Sequence, residues 1–326
     1  MSAGPFCESR LRNVVMSTIE RESDPRGSFQ THSDIGDHHL DVTVEQPPRE
    51  RVLKSMGPRQ TTGDDAFPTF NIRGISVAAV DLAFACDFLG CRAAGAHGEY
   101  VTVTGAHGVV ESAYDERVRL AHCQALMVVP DGMPLVWLGR LLGFSSMGRV
   151  YGPELMEHIF ADPQYRQLRH FFYGANQSVI ARLNDKLRSR FGEYNLVGTY
   201  CPPMSPLGFV EREDVLARIR DLKPDFVWVG LSTPKQELWM QMHMPKIGSG
   251  IAIGVGAAFD LVSGTTVQAP RWIQRSGFEW LFRLAMEPRR LYRRYFFIVP
   301  KYLQYAVAEL IAHHLARRNI GPTDAP

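Results

Sequence analysis

Residues 226–237 read Phe-Val-Trp-Val-Gly-Leu-Ser-Thr-Pro-Lys-Gln-Glu, and this stretch decides the fold. Its first half is a short run of apolar, β-branched and aromatic residues, which predicts a buried strand. A helix is predicted to begin near Pro234, because the missing N–H of proline costs nothing in the first helical turn. Similar successions of strand and helix recur from residue 70 onward. Such alternation is typical of a mostly parallel sheet with helices on both faces, so we predict a Rossmann-like α/β domain.

Seven apolar runs are predicted to be the strands of this sheet, at residues 70–78, 100–104, 125–129, 170–173, 194–197, 226–231 and 251–255. In open parallel sheets, ligands bind beyond the carboxyl ends of the strands. The residues that directly follow these runs are therefore the first candidates for chemistry.

The composition divides the chain into three parts. Residues 1–66 are polar, contain scattered Pro, Gly and Ser, and have no sustained apolar period, so we predict a disordered extension. Residues 67–277 form the predicted α/β domain, and residues 278–326 form a helical C-terminal appendage rich in basic and aromatic residues. With 45% hydrophobic residues among 326, the chain can bury a sizeable core.

The sequence also favours a cytoplasmic location. No apolar segment follows a basic start, and no run reaches the roughly 18 apolar residues that a membrane-spanning helix requires. The five cysteines are scattered without a CxxC pair, and the paired histidines have no partners at ligand spacing. We therefore expect no metal site.

The positive charge is concentrated at the C-terminal end. Residues 271–318 contain nine Arg and one Lys against three Glu, a net charge of +7 in a chain whose total is +2. Aromatic residues are interleaved with these arginines, a mixture that suits a membrane surface because rings favour the headgroup region and cations attract anionic lipids. A docked helix with a solvated basic face is an equally good interpretation. Nucleic-acid binding is disfavoured, because the rest of the chain is acidic.

Asp131 is the main candidate for catalysis. It directly follows the run 125–129, which places its carboxylate at a strand end, where it could accept a proton from a sugar hydroxyl as a general base. Asp131-Gly132 also fits a turn or the cap of a following helix, and the motif alone favours that structural interpretation.

The helix predicted after residues 226–231 could bind an anion. Backbone amides at a helix start attract phosphate oxygens, and the ammonium of Lys235 adds to this attraction. Gln236 offers both a donor and an acceptor to a sugar or base, and Glu237 follows it. A capped surface helix is the structural alternative.

Three further residues are weaker candidates for binding. Gly174 ends another strand, where a phosphate or ribose could bind, although a plain turn explains it as well. Asp260 follows a glycine-lined turn that also fits close packing. Arg149 could neutralise a diphosphate, because its planar guanidinium matches phosphate oxygens, but most arginines are simply exposed.

Seven motifs resemble the WecG/TagA/CpsF glycosyltransferases, also called glycosyltransferase family 26, in their order and spacing. They are residues 106–112 (AHGVVES), 130–137 (PDGMPLVW), 149–152 (RVYG), 234–237 (PKQE), 254–260 (GVGAAFD), 268–272 (QAPRW) and 277–284 (GFEWLFRL). The resemblance spans roughly residues 70–295.

This resemblance implies an inverting enzyme that needs no metal. It would transfer a hexose, N-acetylhexosamine or uronic acid from a UDP-sugar to a polyprenyl-diphosphate-linked glycan, in exopolysaccharide or other surface-glycan synthesis. The appendage would dock on the inner face of the cytoplasmic membrane. Asp131 would be the catalytic base, and Arg149 and Gln236 would lie near the donor. Arginines of the appendage would complete the site over the diphosphate, and our candidates are Arg283, Arg290 and Arg293.

One motif departs from the family pattern. The family often has Thr-x-Asn after its second strand, whereas this chain has Thr104 followed at the asparagine position by Ala106. Thr104 remains a candidate for the cleft. His107 could replace the lost amide by binding a sugar or carrying a proton, and a structural role is equally compatible.

Two other functions compete with the transferase. The altered segment at residues 106–107 would also fit a non-catalytic, membrane-docked protein that binds sugar nucleotides in a regulatory or scaffolding role. A nicotinamide-dependent oxidoreductase is disfavoured, because no GxGxxG fingerprint is present, and no GxxxxGK[ST] loop indicates a P-loop NTPase. The sequence leaves open the donor sugar, the linkage and the oligomeric state, including a homo-oligomer.

Overall fold

The computed structural model describes residues 67–203, 206–286 and 288–319. For residues 271, 275, 290, 293, 294 and 317–319 it describes the backbone alone. The predicted disordered extension, residues 1–66, lies outside the described residues.

Eight strands and thirteen helices are numbered here in chain order within the described residues. The strands are β1 (Thr69–Ile72), β2 (Ile75–Ala78), β3 (His97–Thr104), β4 (Met127–Pro130), β5 (His170–Gly174), β6 (Leu196–Tyr200), β7 (Phe226–Gly230) and β8 (Gly250–Gly254). The helices of the α/β domain are α1 (Leu82–Ala93), α2 (Ala106–Tyr114), α3 (Glu116–Cys123), α4 (Met133–Leu141), α5 (Gly152–Ala161), α6 (Pro163–Arg166), α7 (Gln177–Phe191), α8 (Glu213–Asp221), α9 (Lys235–Ile247) and α10 (Ala258–Val262). The last three helices are α11 (Arg271–Arg275), α12 (Glu279–Met286) and α13 (Pro288–Asn319).

Six strands form one parallel sheet in the order β4-β3-β8-β7-β5-β6. Helices cover both of its faces, because each parallel neighbour is reached through a crossover connection. The predicted Rossmann-like α/β fold is therefore confirmed. All six carboxyl ends lie along the same edge of the sheet, which is where such folds bind ligands.

Side chains of the central strands alternate between two hydrophobic cores. On β7, Phe226 and Trp228 pack into one core, while Val227 and Val229 pack into the other. Because both faces are covered, β7 is a continuous apolar run rather than an alternating one. Burial of this run explains why its sequence predicts the fold so directly.

The first predicted strand is wrong in one respect. Residues 70–78 form an antiparallel hairpin of β1 and β2, separate from the parallel sheet, instead of a single strand. The hairpin turns at Arg73 and Gly74, whose φ angles are +52° and +81°. Positive φ at both central residues suits a tight two-residue turn, and the side chain of Asn71 accepts a hydrogen bond from the Gly74 amide at 3.0 Å.

The C-terminal appendage docks on the α/β domain. Helix α13 packs against α2, α4 and β1, and the backbone amide of Arg73 donates to Glu309 Oε1 at 3.3 Å. Gly277, with φ +76°, precedes α12 and lies so close to Trp137 that a Cβ there would stand 2.3 Å from the indole ring. This close approach brings α12 over the carboxyl edge of the sheet. Among the described helices, none has the length and apolar content needed to cross a membrane.

Candidate active site

A cavity of about 670 Å³ lies at the carboxyl ends of β3, β4, β7 and β8. Residues 105–108, 131–134, 232–233 and 254–258, which end or follow these strands, line one side. Helices α12 and α13 of the appendage line the other side. Four of the predicted strand ends therefore meet at one cavity, together with the appendage.

Asp131 lies where β3 and β4 end side by side. Its amide donates to the carbonyl of Thr104 at 2.9 Å, and its Oδ1 accepts from the amide of Gly152 at 3.3 Å. Gly152 is the first residue of α5, and a helix N-terminus favours a negative charge. Helix α4 has Gly132 as its N-cap and no side-chain cap. Asp131 therefore does not cap α4, which was the structural alternative for this residue.

The environment of Asp131 makes its carboxyl a stronger base than an ordinary aspartate. Burial among protein atoms and the negative charge of Glu279 raise the pKa of Asp131 from 3.8 to about 6. The cations Arg149 and Arg283 and the Gly152 amide act in the opposite direction but do not cancel this rise. Asp131 still borders the cavity, so a bound hydroxyl group can reach it. A carboxylate with a pKa near neutrality suits a general base.

Arg149 lines the cavity and is held by side chains of both the α/β domain and the appendage. Its Nη1 lies 2.9 Å from Glu279 Oε2, and its Nη2 lies 3.1 Å from Gln274 Oε1. A third oxygen, from Glu154, lies 3.5 Å from Nη2. The guanidinium stacks on the ring of Tyr151 with its central carbon 4.3 Å from the ring centroid. These contacts fix the guanidinium plane beside the cavity.

Sequence reasoning did not single out Glu279, Tyr151 or Gln274. The hydroxyl of Tyr151 donates to Glu279 Oε1 at 2.9 Å, so the second oxygen of this carboxylate is also held by the α/β domain. Glu279 and Tyr151 lie within two of the motifs that carry the family resemblance. Their separation of 128 residues explains why no local pattern reveals that they pair.

Gln236 also borders the cavity, as predicted for a binding residue. Its Nε2 donates to the carbonyl of Gly254 at 3.0 Å and to Glu237 Oε1 at 3.1 Å. Its Oε1 is buried and has no hydrogen-bond donor among the described residues. A buried acceptor without a partner is costly, so a ligand that donates a hydrogen bond here would stabilise the site.

Its neighbours on α9 do not line the cavity. Glu237 is fully buried, its Oε1 accepts from the hydroxyl of Thr233 at 2.9 Å, and burial raises the pKa of its carboxyl. Lys235, the first residue of α9, is half-buried outside the cavity lining. The predicted contacts of Lys235 and Glu237 with substrate therefore have no geometric support, and Glu237 instead holds the segment that carries Gln236.

Thr104 and His107 occupy different environments. Thr104 is buried and is not part of the cavity lining, and its hydroxyl lies 3.4 Å from Nδ1 of His122. Burial lowers the pKa of His122 to about 4, so the pair belongs to a neutral core cluster. The predicted catalytic role of Thr104 does not fit this position. His107 does line the cavity, and its Nε2 lies 3.0 Å from Glu111 Oε1. Its role in binding a sugar or carrying a proton stays a prediction.

Gly174 and Asp260 also lie outside the cavity lining. Gly174 ends β5 with φ +118°, and a Cβ there would stand 2.6 Å from the carbonyl oxygen of Gly230. The close approach of β5 and β7 therefore requires a glycine at position 174, and ligand binding is not needed to explain this residue. Asp260 lies half-buried in α10, whereas neighbouring residues 257, 258 and 261 reach the cavity.

The arginines of the appendage are only partly described. Arg283 is exposed on α12 and borders the cavity, and its positive charge lowers the pKa of Asp131. Arg290 and Arg293 lie on α13, but their side chains lie outside the described residues, so their predicted role stays a prediction. Among the described residues, no group of three or more His, Cys, Asp or Glu side chains is placed to hold a metal ion.

The lining of the cavity also includes apolar side chains of α4 and α13, and this part of the lining is called the apolar arm. Trp137 and Leu141 of α4 line this arm on one side, and Leu303, Val307 and Leu310 of α13 line it on the other. Tyr302 of α13 also borders the cavity, and its buried hydroxyl has no hydrogen-bond partner among the described residues. The sequence predicted arginines of the appendage at the site, but it did not predict this apolar lining from α13.

Comparison with known proteins agrees with this geometry. Residues 70–316 match the model of the glycosyl transferase WecG/TagA/CpsF family. One relative is the N-acetylglucosaminyldiphosphoundecaprenol N-acetyl-beta-D-mannosaminyltransferase of Bacillus spizizenii strain W23, 28% identical over 207 residues that cover 63% of this chain and 77% of the relative. The proteins of the same name from Bacillus subtilis strain 168 and Staphylococcus aureus strain MW2 are 30% and 28% identical, over 54% and 52% of this chain and 66% and 65% of their own lengths.

The family match covers well over half of the chain, from the β1 hairpin through most of α13. It confirms the resemblance inferred from the seven motifs and the prediction that the protein is an enzyme. This chain therefore belongs to the WecG/TagA/CpsF family of glycosyltransferases.

Proposed function

We propose that this glycosyltransferase transfers a sugar from a UDP-sugar to a polyprenyl-diphosphate-linked glycan, with inversion at the anomeric carbon. Three relatives are named for an acceptor of this class, N-acetylglucosaminyldiphosphoundecaprenol. The observation that carries the proposal is the position of Asp131, a carboxylate with a raised pKa beside a cavity that also holds Arg149 and Gln236.

In the proposed reaction, Asp131 removes the proton of the acceptor hydroxyl as its oxygen attacks the anomeric carbon of the donor. The new carbon–oxygen bond forms on the face opposite the departing UDP, which keeps the electron pair of the bond that breaks. With a pKa of about 6, Asp131 is mostly ionised at neutral pH and binds the transferred proton more strongly than an ordinary aspartate.

The diphosphate of the donor carries negative charge that grows as UDP leaves. Arg149 and Arg283 border the cavity and supply fixed positive charge, and Arg290 and Arg293 are proposed to add to it from α13. Cations that are already held in position stabilise the charge of a leaving group without any rearrangement of the site during the reaction. We propose that these arginines take the role that a divalent cation has in other transferases, and that Gln236 orients the donor through its Oε1, which has no partner within the described ranges.

The appendage is proposed to bring the enzyme to the inner face of the cytoplasmic membrane. Phe296 of the appendage and Trp272, which lies just before it in the chain, are 84% and 72% exposed, in the part of the chain that carries a net charge of +7. Exposed rings among basic residues favour the headgroup region of an anionic bilayer. The product would then enter an exopolysaccharide or another surface glycan.

The proposal is tested by incubating the protein with a panel of UDP-sugars and a synthetic polyprenyl-diphosphate N-acetylglucosamine. We expect one donor to give acceptor-dependent release of UDP, a product heavier by one sugar, and an inverted anomeric configuration by NMR. EDTA is expected to leave the rate unchanged. The Asp131→Asn variant is the matched control, because its fold should be intact and its turnover lost.

The result that would contradict the proposal is nucleotide binding without turnover for every donor of the panel. This outcome would instead support the non-catalytic, sugar-nucleotide-binding function. Loss of the rate in EDTA with recovery on adding Mg²⁺ would overturn the metal-independent mechanism alone.

A further inference from the structure

We propose that the apolar arm between α4 and α13 binds the first isoprene units of the acceptor's polyprenyl chain. This inference rests on the proposed function, because it assumes that the acceptor is lipid-linked. It assigns the chain to a defined binding site on the protein rather than to the bilayer or the detergent around it.

The first observation is that the apolar arm is continuous with the candidate active site. One cavity contains Asp131, Arg149 and Arg283 at its polar end, and Trp137, Leu141 and Leu303 in the arm. Pockets usually match the polarity of what they bind, with polar groups placed only where the ligand has them. A ligand with a polar head and a long hydrocarbon tail fits a cavity divided in this way.

The second observation is the exposure of the side chains that line the arm. Leu141 is 69% exposed, Leu303 is 57% exposed and Val307 is 53% exposed. Leu303 and Val307 are four residues apart on α13, so they lie on the same face of the helix. Soluble proteins rarely expose neighbouring apolar side chains in a groove without something that covers them. A hydrocarbon chain of the substrate would cover these three.

The third observation is Tyr302, which borders the same cavity. Its side chain is almost fully buried, and its hydroxyl has no hydrogen-bond partner among the described residues. A buried hydroxyl without a partner costs free energy that an acceptor group of a ligand would recover. Because Tyr302 lines the same cavity as Asp131 and Leu303, we assign to it an oxygen of the acceptor's diphosphate or sugar.

The test compares the binding of heptaprenyl diphosphate and geranyl diphosphate to the full-length protein, by calorimetry in one detergent without lipid. The wild type is expected to bind the longer compound at least about tenfold more tightly, because its additional isoprene units are transferred from water into the apolar arm. The variant Leu303→Gln/Val307→Gln should lose about tenfold of this preference, because its affinity for heptaprenyl diphosphate falls more than its affinity for geranyl diphosphate, which carries only two isoprene units. Ala306→Phe, which fills the arm with bulk instead of polarity, should have the same effect.

The matched control is Ile311→Gln/Leu315→Gln. Both residues are exposed on the same helix but lie outside the cavity lining, so the same loss of apolar surface should leave the preference intact. Equal binding of the two compounds by the wild type would overturn the inference, as would a preference retained by both arm variants or lost in the control. Sugar transfer is measured separately, so chain-length-dependent binding without transfer would contradict the proposed function and leave the assignment of the arm standing.

Discussion

Arg149 of the α/β domain and Glu279 of the appendage form a largely buried ion pair, with Nη1 and Oε2 2.9 Å apart. The pair joins parts of the chain separated by 130 residues. It holds in place the cation that we propose beside the donor diphosphate, and Glu279 also raises the pKa of Asp131. Docking of the appendage and the strength of the catalytic base are therefore linked through one carboxylate.

The pH dependence of turnover should reveal this link. Asp131 acts as a base only when ionised, so kcat/KM should rise with pH and level off above a pKa of about 6. Replacing Glu279 by Gln removes a negative charge, which lowers the pKa of Asp131 and moves the acidic limb of the profile to lower pH. Glu154→Gln is the control, because Glu154 contacts Arg149 at 3.5 Å but is not among the charges that raise the Asp131 pKa. An acidic limb at the same pH in wild type and Glu279→Gln would contradict the link.

The ion pair should also be visible in stability. Arg149→Met leaves the Glu279 carboxylate largely buried without its cation, which should lower the free energy of unfolding by about 2 to 3 kcal/mol. Adding Glu279→Gln should restore much of that loss, because no unpaired charge then remains. Urea unfolding of the two single variants and the double variant measures the coupling. If the losses in unfolding free energy of the two single variants simply add in the double variant, the ion pair contributes little to stability. Recovered turnover in the double variant would show that Arg149 is not needed for donor binding.

The Asp131→Asn substitution should lower kcat and raise the free energy of unfolding. We expect kcat to fall by about 100- to 10,000-fold, the usual contribution of a general base. Because the folded-state pKa of Asp131 is raised, its ionised form destabilises the native state above pH 6, and this penalty disappears below pH 4. The variant should therefore be more stable than the wild type by up to about 3 kcal/mol at pH 7.5, with little of this gain left at pH 4. If wild type and variant have the same free energy of unfolding at pH 7.5 and at pH 4, burial does not disfavour the ionised form of Asp131.

Much of the fold could be predicted from the sequence, because its signals are local. The buried run 226–231 and the residues after it predict a strand, a turn and a helix without knowledge of distant parts of the chain. Asp131 and Gln236 were proposed by the same means, since a residue just after a parallel strand lies at the ligand-binding edge, and both line the cavity. The hairpin at Arg73 was missed because Arg rarely adopts positive φ, so the run 70–78 reads as one strand.

Which side chains line the cavity depends in part on non-local geometry. Val103 faces the cavity and Thr104 faces His122 because successive side chains of a strand point to opposite faces, and no local pattern decides which face meets the site. Glu279 and Tyr302 reach the cavity only because the chain turns at Gly277 and α13 docks on α2 and α4. Such contacts between distant segments are set by packing.

Gly174→Ala distinguishes a structural glycine from a ligand-binding one. The added Cβ would stand 2.6 Å from the carbonyl of Gly230, at a position where φ is +118°. We expect the free energy of unfolding to fall by roughly 2 to 4 kcal/mol, because both the overpacking and the backbone conformation are unfavourable. Gly192→Ala is the control, since φ there is also positive, at +84°, but no atom lies within 4 Å of its Cβ. Below the unfolding temperature, the KM of Gly174→Ala for the donor should match that of the wild type. A raised donor KM in a variant as stable as the control would instead place Gly174 at the nucleotide, as the sequence alone predicted.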